Sequence, residues 1–200
     1  MKVVEKAFVA NGMILGIDEV GRGPAAGPVT VGAVVLPEGC EIKGLNDSKL
    51  LSLEERLELD CEIKLRALAV GIGWASPSYI DEHGLTMALD YAAQHAIDSI
   101  AGKYDLILID GNHNYLTSRV HTEPMVKADQ LVACVAAASI VAKVARDRLM
   151  DLHDSRYPQY GFASHKGYLT RSHIEAIRRH GLSPIHRKRW SLNGAQGDGI

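Results

Sequence analysis

Apolar residues along this chain change their spacing several times, and each change marks a different kind of element. Residues 13–18 and 29–36 are β-branched and apolar with Gly and Pro between them, and they predict two neighbouring β-strands joined by an irregular turn. After the loop LNDSKLLS (45–52), Ser52 and Glu55 stand three apart at the head of a charged amphipathic segment reaching about Arg66. That is the spacing of a capping box at the start of a surface helix. Residues 67–75 predict a third strand; from Ser78 the pattern gives a short helix, a break at Gly84, and a longer helix to about Ile100. LILID (106–110) is too short and too uniformly apolar for an amphipathic surface helix, and reads as a buried strand ending in an acid.

From Leu131 the apolar positions 131, 134, 135, 138, 141, 142, 145, 149 and 152 fit one buried helical face, which sets Ser139, Lys143, Arg146 and Asp147 together on the opposite side. The alanines of VACVAAASIVA permit close approach to neighbours. Beyond Tyr157 and Pro158 come GFASHKGYLT, a helix from about Ser172 to His180 with Glu175 at capping spacing, and GLSPIHRKRW. Strands interleaved with helices and then helices alone predict an α/β sheet with a helical C-terminal lobe.

With 46% apolar residues in 200, the chain can bury one core, and neither repeats nor low-complexity blocks divide it. One domain over 1–192 with a flexible tail at 193–200 is expected. No stretch approaches the roughly 18 apolar residues of a membrane span, and the N-terminus lacks the pattern of a secretory signal. A cytoplasmic monomer is expected. Cys40, Cys61 and Cys134 have no disulfide or zinc spacing, and read as core thiols in a reducing compartment.

A net charge of −2 conceals an uneven distribution: residues 139–190 hold eleven Lys and Arg against four Asp and Glu, and the rest holds eleven against twenty. The basic quarter suggests one face for a polyanion, although a solvated helical surface would look the same.

Candidate chemistry lies in GIDEVGRGPAAGPV (16–29), where Asp18 and Glu19 precede Gly21, Arg22 and Gly23. Successive strand residues point to opposite faces, so both acids can serve one site only if the strand ends or bulges there. Acids on a buried strand cost free energy unless a cation or donor answers them. Asp110 ends the LILID strand, and Asp129 precedes the alanine-rich helix. Four acids at the ends of elements suit a pair of hard cations, Mn²⁺ or Mg²⁺. Taken alone, Asp129 equally suits a helix cap and Asp110 an Asx turn, and the residues leave both readings open. A dinucleotide fingerprint fails, because the third glycine falls at Gly27 and Pro24 interrupts the helix it needs.

Six blocks in order, GIDEVGRGPAAGPV, LNDSKLLS, LILIDGN, VKADQLVACVAAASIVAKVARD, SHKGYLT and GLSPIHR, resemble bacterial ribonuclease HII, the type 2 ribonuclease H family. The resemblance implies a ribonuclease H-like fold, a central five-stranded mixed sheet flanked by helices, with a helical C-terminal segment. It implies Asp18, Glu19, Asp110 and Asp129 as catalytic, metal-binding acids. Gly21, Arg22 and Gly23 would contact the ribonucleotide around its 2′-hydroxyl, and Tyr168 would stack on the adjoining deoxynucleotide's sugar. The substrate would be an RNA–DNA hybrid or duplex DNA carrying single ribonucleotides, nicked on the 5′ side with two metal ions. Ser48 and Lys49 belong to the substrate-contacting DSK block, and Lys143, Arg146 and Lys166 are candidates for gripping phosphates. Leu50 stands where many members have a second lysine, and Ala128 where glycine often precedes the last acid.

Three readings compete. A metal-free mechanism through histidines such as His165 and His186 predicts cyclic phosphate products, a pure hybrid-binding module predicts binding without cleavage, and a different nuclease with carboxylates on the same kind of sheet, such as a junction resolvase, predicts cutting of substrates that contain no ribose.

Overall fold

The computed structural model describes residues 12–45, 51–116 and 121–189. Five strands, β1 (Ile14–Val20), β2 (Val29–Val35), β3 (Ala69–Ala75), β4 (Leu106–Asp110) and β5 (Thr122–Met125), form one sheet in the order β3-β2-β1-β4-β5. The pairs β1/β2 and β2/β3 are antiparallel, whereas β1/β4 and β4/β5 are parallel. This is the five-stranded mixed sheet that the resemblance implies. Strand β5 escaped the pattern reading because TEPM is short and contains Pro124, which a sheet tolerates at an edge position.

Helices cover both faces. They are α1 (Leu53–Arg66), α2 (Pro77–His83), α3 (Leu85–Asp98), the short α4 (Ala128–Leu131), α5 (Ala133–Arg156), the short α6 (Phe162–His165) and α7 (Arg171–His180), with a 3₁₀ turn at Pro158–Tyr160. The capping box of α1 forms as expected, Ser52 Oγ accepting from Glu55 N–H and Glu55 Oε2 from Ser52 N–H. Helix α7 is capped two residues earlier than its sequence suggests: Thr170 Oγ1, rather than Ser172, accepts from His173 N–H.

Helix α5 departs from the expected one-sided pattern. Ser139, Arg146 and Asp147, assigned to an outward face, are buried along with the alanines. The reason is that α5 lies across β1 and β2 on one side while α1 and the C-terminal segment cover the other. Close approach to the sheet is set by glycines: a Cβ at Gly16 would fall 2.3 Å from Cys134 C, and one at Gly32 2.3 Å from Ala138 O. On the opposite sheet face, α3 rests on β3 through Gly71 and Gly73.

Gly73→Ala places its Cβ 1.8 Å from Ala92 O and 2.7 Å from Ala96 N, both main-chain atoms that cannot rotate aside. We expect this change to cost about 1–3 kcal/mol, the usual penalty of overpacking, read as a lower urea midpoint with an unchanged m-value. Turnover per folded molecule should hold, since β3 is the sheet edge remote from β4. The cysteines need a correction: Cys134 is a buried thiol, but Cys40 is only partly covered and Cys61 is exposed.

Candidate active site

Strand β1 runs through its acids without a bulge and ends one residue beyond them, at Val20. Its pairing with β2 continues through Asp18–Gly32, Glu19–Val31 and Val20–Thr30. The two carboxylates therefore leave opposite faces of the strand: Gly16 and Asp18 face α5, and Glu19 shares the face of Leu15, Ile17 and Tyr115. What unites them is their place at the end of the strand. The β1/β4 register reaches Ile17–Ile109, so the next step sets Asp110 beside Asp18 on the α5 face.

Asp18 Oδ1 accepts from Glu19 N–H at 2.7 Å, and the Ser139 hydroxyl from α5 also bonds its carboxylate. Asp129 N–H reaches Asp110 Oδ1 at 3.4 Å. The two plain structural readings lapse here. The cap positions of α4 and α5 belong to Lys127 and Val132, not Asp129, and Asp110 bonds across the fold to Asp129 while Gly111 N–H goes to Met125 O.

Burial pushes the Asp18 carboxyl well above the usual range, and the charges of Glu19 and Asp110 push it further. Glu19 is raised mainly by burial, against which Arg22 works: its Nη1 lies 3.0 Å from Glu19 Oε1. The other oxygen, Glu19 Oε2, is buried with no hydrogen-bond partner, as is the hydroxyl of Tyr115, a neighbour that no sequence pattern signals. Among the described residues no group of three or more His, Cys, Asp or Glu is drawn tightly enough to enclose a metal as it stands. The donor set is nevertheless all oxygen, with Asp18 and Glu19 desolvated, Asp110 repelling both, and one carboxylate oxygen orphaned. A hard divalent cation reverses each of those penalties.

Beside the acids, residues 21–28 form a loop without regular pairing, and two buried arginines hold it. Arg187 donates to Gly21 O, to Arg22 O at 3.0 Å, and to Gly27 O at 3.0 Å through Nη2 and 3.1 Å through Nε. Arg146 donates to Pro28 O (3.0 Å), Lys166 O (3.0 Å) and Ala26 O (3.1 Å). A guanidinium has five N–H donors in a fixed fork, which suits it to carbonyls that no strand or helix satisfies. Gly21 has φ +92 and packs so closely on Arg146 that a Cβ would lie 2.4 Å from Nε. These contacts fix the peptide planes of Gly21 and Arg22.

Arg146 is thereby corrected. With 0% of its surface exposed it cannot touch a phosphate; it is a strut beneath the loop. Arg187 does the same work and was missed, because a run of basic residues reads as surface charge. Lys143 Nζ pairs with Asp147 at 2.7 Å and Lys166 Nζ with Asp151, so each lysine candidate already has an acidic partner. Exposed cations at Arg178, Arg179, Lys188 and Arg189 remain in the basic quarter. Ser48, Lys49 and the 193–200 tail lie outside the described residues.

Tyr168 is 47% exposed, and its ring covers Gly23: a Cβ there would be 3.4 Å from Tyr168 Cε1. The structure thus joins Gly21, Arg22, Gly23 and Tyr168 into one surface next to Glu19. His165 and His186, by contrast, are buried with both ring nitrogens of each engaged by other protein groups, which removes these two as a reactive pair. Among the described residues no helix is long and apolar enough to cross a membrane.

The family model for ribonuclease HII matches residues 15–193. A ribonuclease HII of Ruminiclostridium cellulolyticum is 48% identical over 187 residues, covering 92% of this chain and 72% of that protein. One from Shewanella sediminis is 48% identical over 188 residues, covering 90% and 88%. Among solved structures, the ribonuclease H2 of Pyrococcus horikoshii superposes with a TM-score of 0.74 at 27% identity, over 90% of this chain and 94% of that one. With the fold, the carboxylates at the ends of β1 and β4, and these likenesses in agreement, the chain belongs to the ribonuclease HII family and is a ribonuclease H-type hydrolase.

Proposed function

We propose that this protein hydrolyses the RNA strand of RNA–DNA hybrids and nicks duplex DNA on the 5′ side of a single embedded ribonucleotide, leaving 3′-hydroxyl and 5′-phosphate ends. Asp18, Glu19, Asp110 and Asp129 would hold two divalent cations, Mn²⁺ or Mg²⁺. The observation that carries this reading is the desolvated pair Asp18 and Glu19, raised in pKa and left with the unpartnered Glu19 Oε2. Bound there, the cations would activate water and neutralise charge developing on the phosphate.

The chain's own residues supply the rest. Asp18 is oriented by Glu19 N–H and Ser139, so its carboxylate is set before substrate arrives. Arg22 holds one oxygen of Glu19 and leaves the other available for a ligand. The 2′-hydroxyl alone distinguishes ribose from deoxyribose at such a site. Main-chain groups of Gly21, Arg22 and Gly23, braced by Arg187, can approach it with no side chain between. The exposed ring of Tyr168, beside Gly23, is placed to stack on the next sugar.

The test is a labelled DNA duplex with one ribonucleotide, incubated with Mg²⁺, Mn²⁺ or EDTA, its ends mapped. The expected result is a single 5′-side nick with a 3′-hydroxyl in either metal and none in EDTA. Cyclic phosphate ends, or cleavage in EDTA, overturn the metal mechanism; equal cleavage of an all-DNA duplex overturns the ribose reading.

A further inference from the structure

Behind the Tyr168 surface lies a cluster of buried histidines that the metal chemistry does not use. Its hydrogen bonds run in one direction. Ser183 N–H and the Ser183 hydroxyl meet His186 Nδ1 at 2.8 and 2.7 Å, so that nitrogen carries no proton and the proton of a neutral ring sits on Nε2. His186 Nε2 lies 3.0 Å from His173 Nε2, which must accept, so His173 carries its proton on Nδ1. His173 Nδ1–H then donates to Tyr168 O at 2.9 Å. Each tautomer is set by the one before it, starting from a main-chain amide that has only one thing to donate.

We propose that His186 and His173 are positioning residues that fix Tyr168 for substrate, a role that rests on the reading of Tyr168 as a substrate contact. The chain of bonds ties together the two halves of the reading surface. His186 pairs through its main chain with Ala26 of the 21–28 loop, while Gly27 N–H goes to Ile185 O and Ala25 N–H to Gly167 O. From that anchor, the two imidazoles reach the peptide of Tyr168. Its N–H is held by His165 O, and its carbonyl has both lone pairs taken, by Thr170 N–H at 2.8 Å and by His173.

The packing leaves the rings one arrangement. His173 stacks on His165 with centroids 4.3 Å apart and meets Phe162 edge-on, while His186 rests on Tyr160 and Phe162. His165 is held in its own tautomer, accepting from Gly167 N–H and donating to Tyr160 O. Burial and the adjacent His173 push His186 down to about 4, so the neutral ring the relay needs is the one present at neutral pH.

A contact with the sugar next to the cleavage point is made before and during reaction, so weakening it raises KM and leaves kcat. The experiment measures both on the single-ribonucleotide duplex for Tyr168→Ala, His173→Phe, His173→Asn and the double variant Tyr168→Ala/His173→Phe. Phe keeps a ring without a donor; Asn supplies an N–H where Nδ1 stood. His173→Phe is expected to raise KM about five- to tenfold, within the loss a full stacking contact carries, with kcat unchanged. His173→Asn should recover most of the loss, and the double variant should be no worse than Tyr168→Ala.

Unchanged KM in Tyr168→Ala removes the reading of that tyrosine. Raised KM there, with unchanged KM in His173→Phe or with effects that simply multiply in the double variant, overturns the relay. A fall in kcat and melting temperature that Asn fails to restore assigns His173 to packing alone, and overturns it too.

Discussion

Asp18→Asn is expected to remove cleavage, by at least about 10²–10³-fold in kcat, the scale on which a single group stabilising transition-state charge acts. It is also expected to raise the melting temperature of the metal-free protein. Asn keeps an Oδ1 to accept from Glu19 N–H and the volume of Asp, so the fold around β1 is preserved. What it removes is a buried ionisable group near the charges of Glu19 and Asp110. Because the folded-state pKa of Asp18 lies above its unfolded value, the native state holds a proton that the unfolded state has released. Stability from this group is complete below the ordinary value of 3.8 and is lost as pH rises through the higher folded value. At neutral pH in EDTA the wild type carries that penalty and the Asn variant does not. Each kcal/mol of relief should appear as about 2–4 °C in Tm for a chain of this size.

Divalent cation should reverse the order, since ligand binding only to the native state stabilises it by mass action. Melting in EDTA and in saturating Mn²⁺, with kcat measured alongside, checks both halves. Wild-type turnover in the variant, or a lower melting temperature than wild type in EDTA, contradicts the assignment.

The cost of Asp18 to the fold explains why the acids stood out in the sequence. An acid in an apolar strand conflicts with its surroundings, and such conflicts mark sites. The capping box at Ser52 and Glu55, the break at Gly84 and the buried LILID strand were legible for a similar reason: each depends on residues within a few positions of one another. Legibility ended where partners are distant. Arg146 is bonded to Pro28 and Ala26, 118 and 120 positions away, and Arg187 to Gly21 and Gly27 at still greater separations. Spacing cannot reveal that a loop of glycines and prolines leaves its carbonyls facing inward, nor that two guanidiniums will be drawn under it. Helix α5 reads as one-sided for the same reason: its polar residues are buried against groups contributed by other parts of the chain.

Arg146→Met tests that account against the surface-charge reading it replaced, because the two predict different losses. Met fills much of the same volume but donates nothing, so the carbonyls of Ala26, Pro28 and Lys166 lose a donor in a site sealed from water. An unsatisfied buried polar group costs about 1–3 kcal/mol, and three of them should cost about 3 kcal/mol or more. At about 2–4 °C per kcal/mol, melting should fall by about 6–12 °C. Arg146→Lys restores charge but not the fork: one ammonium cannot reproduce the planar array of donors that spans the three carbonyls, so it should recover less than half of the loss. A phosphate-gripping arginine behaves otherwise. Its removal would leave melting unchanged and flatten the slope of log K against log salt by about 1, as one counterion fewer is displaced. The salt slope of binding is therefore expected to stay that of the wild type while the melting temperature drops. The opposite pair of results would return Arg146 to the surface and leave the 21–28 loop without its strut.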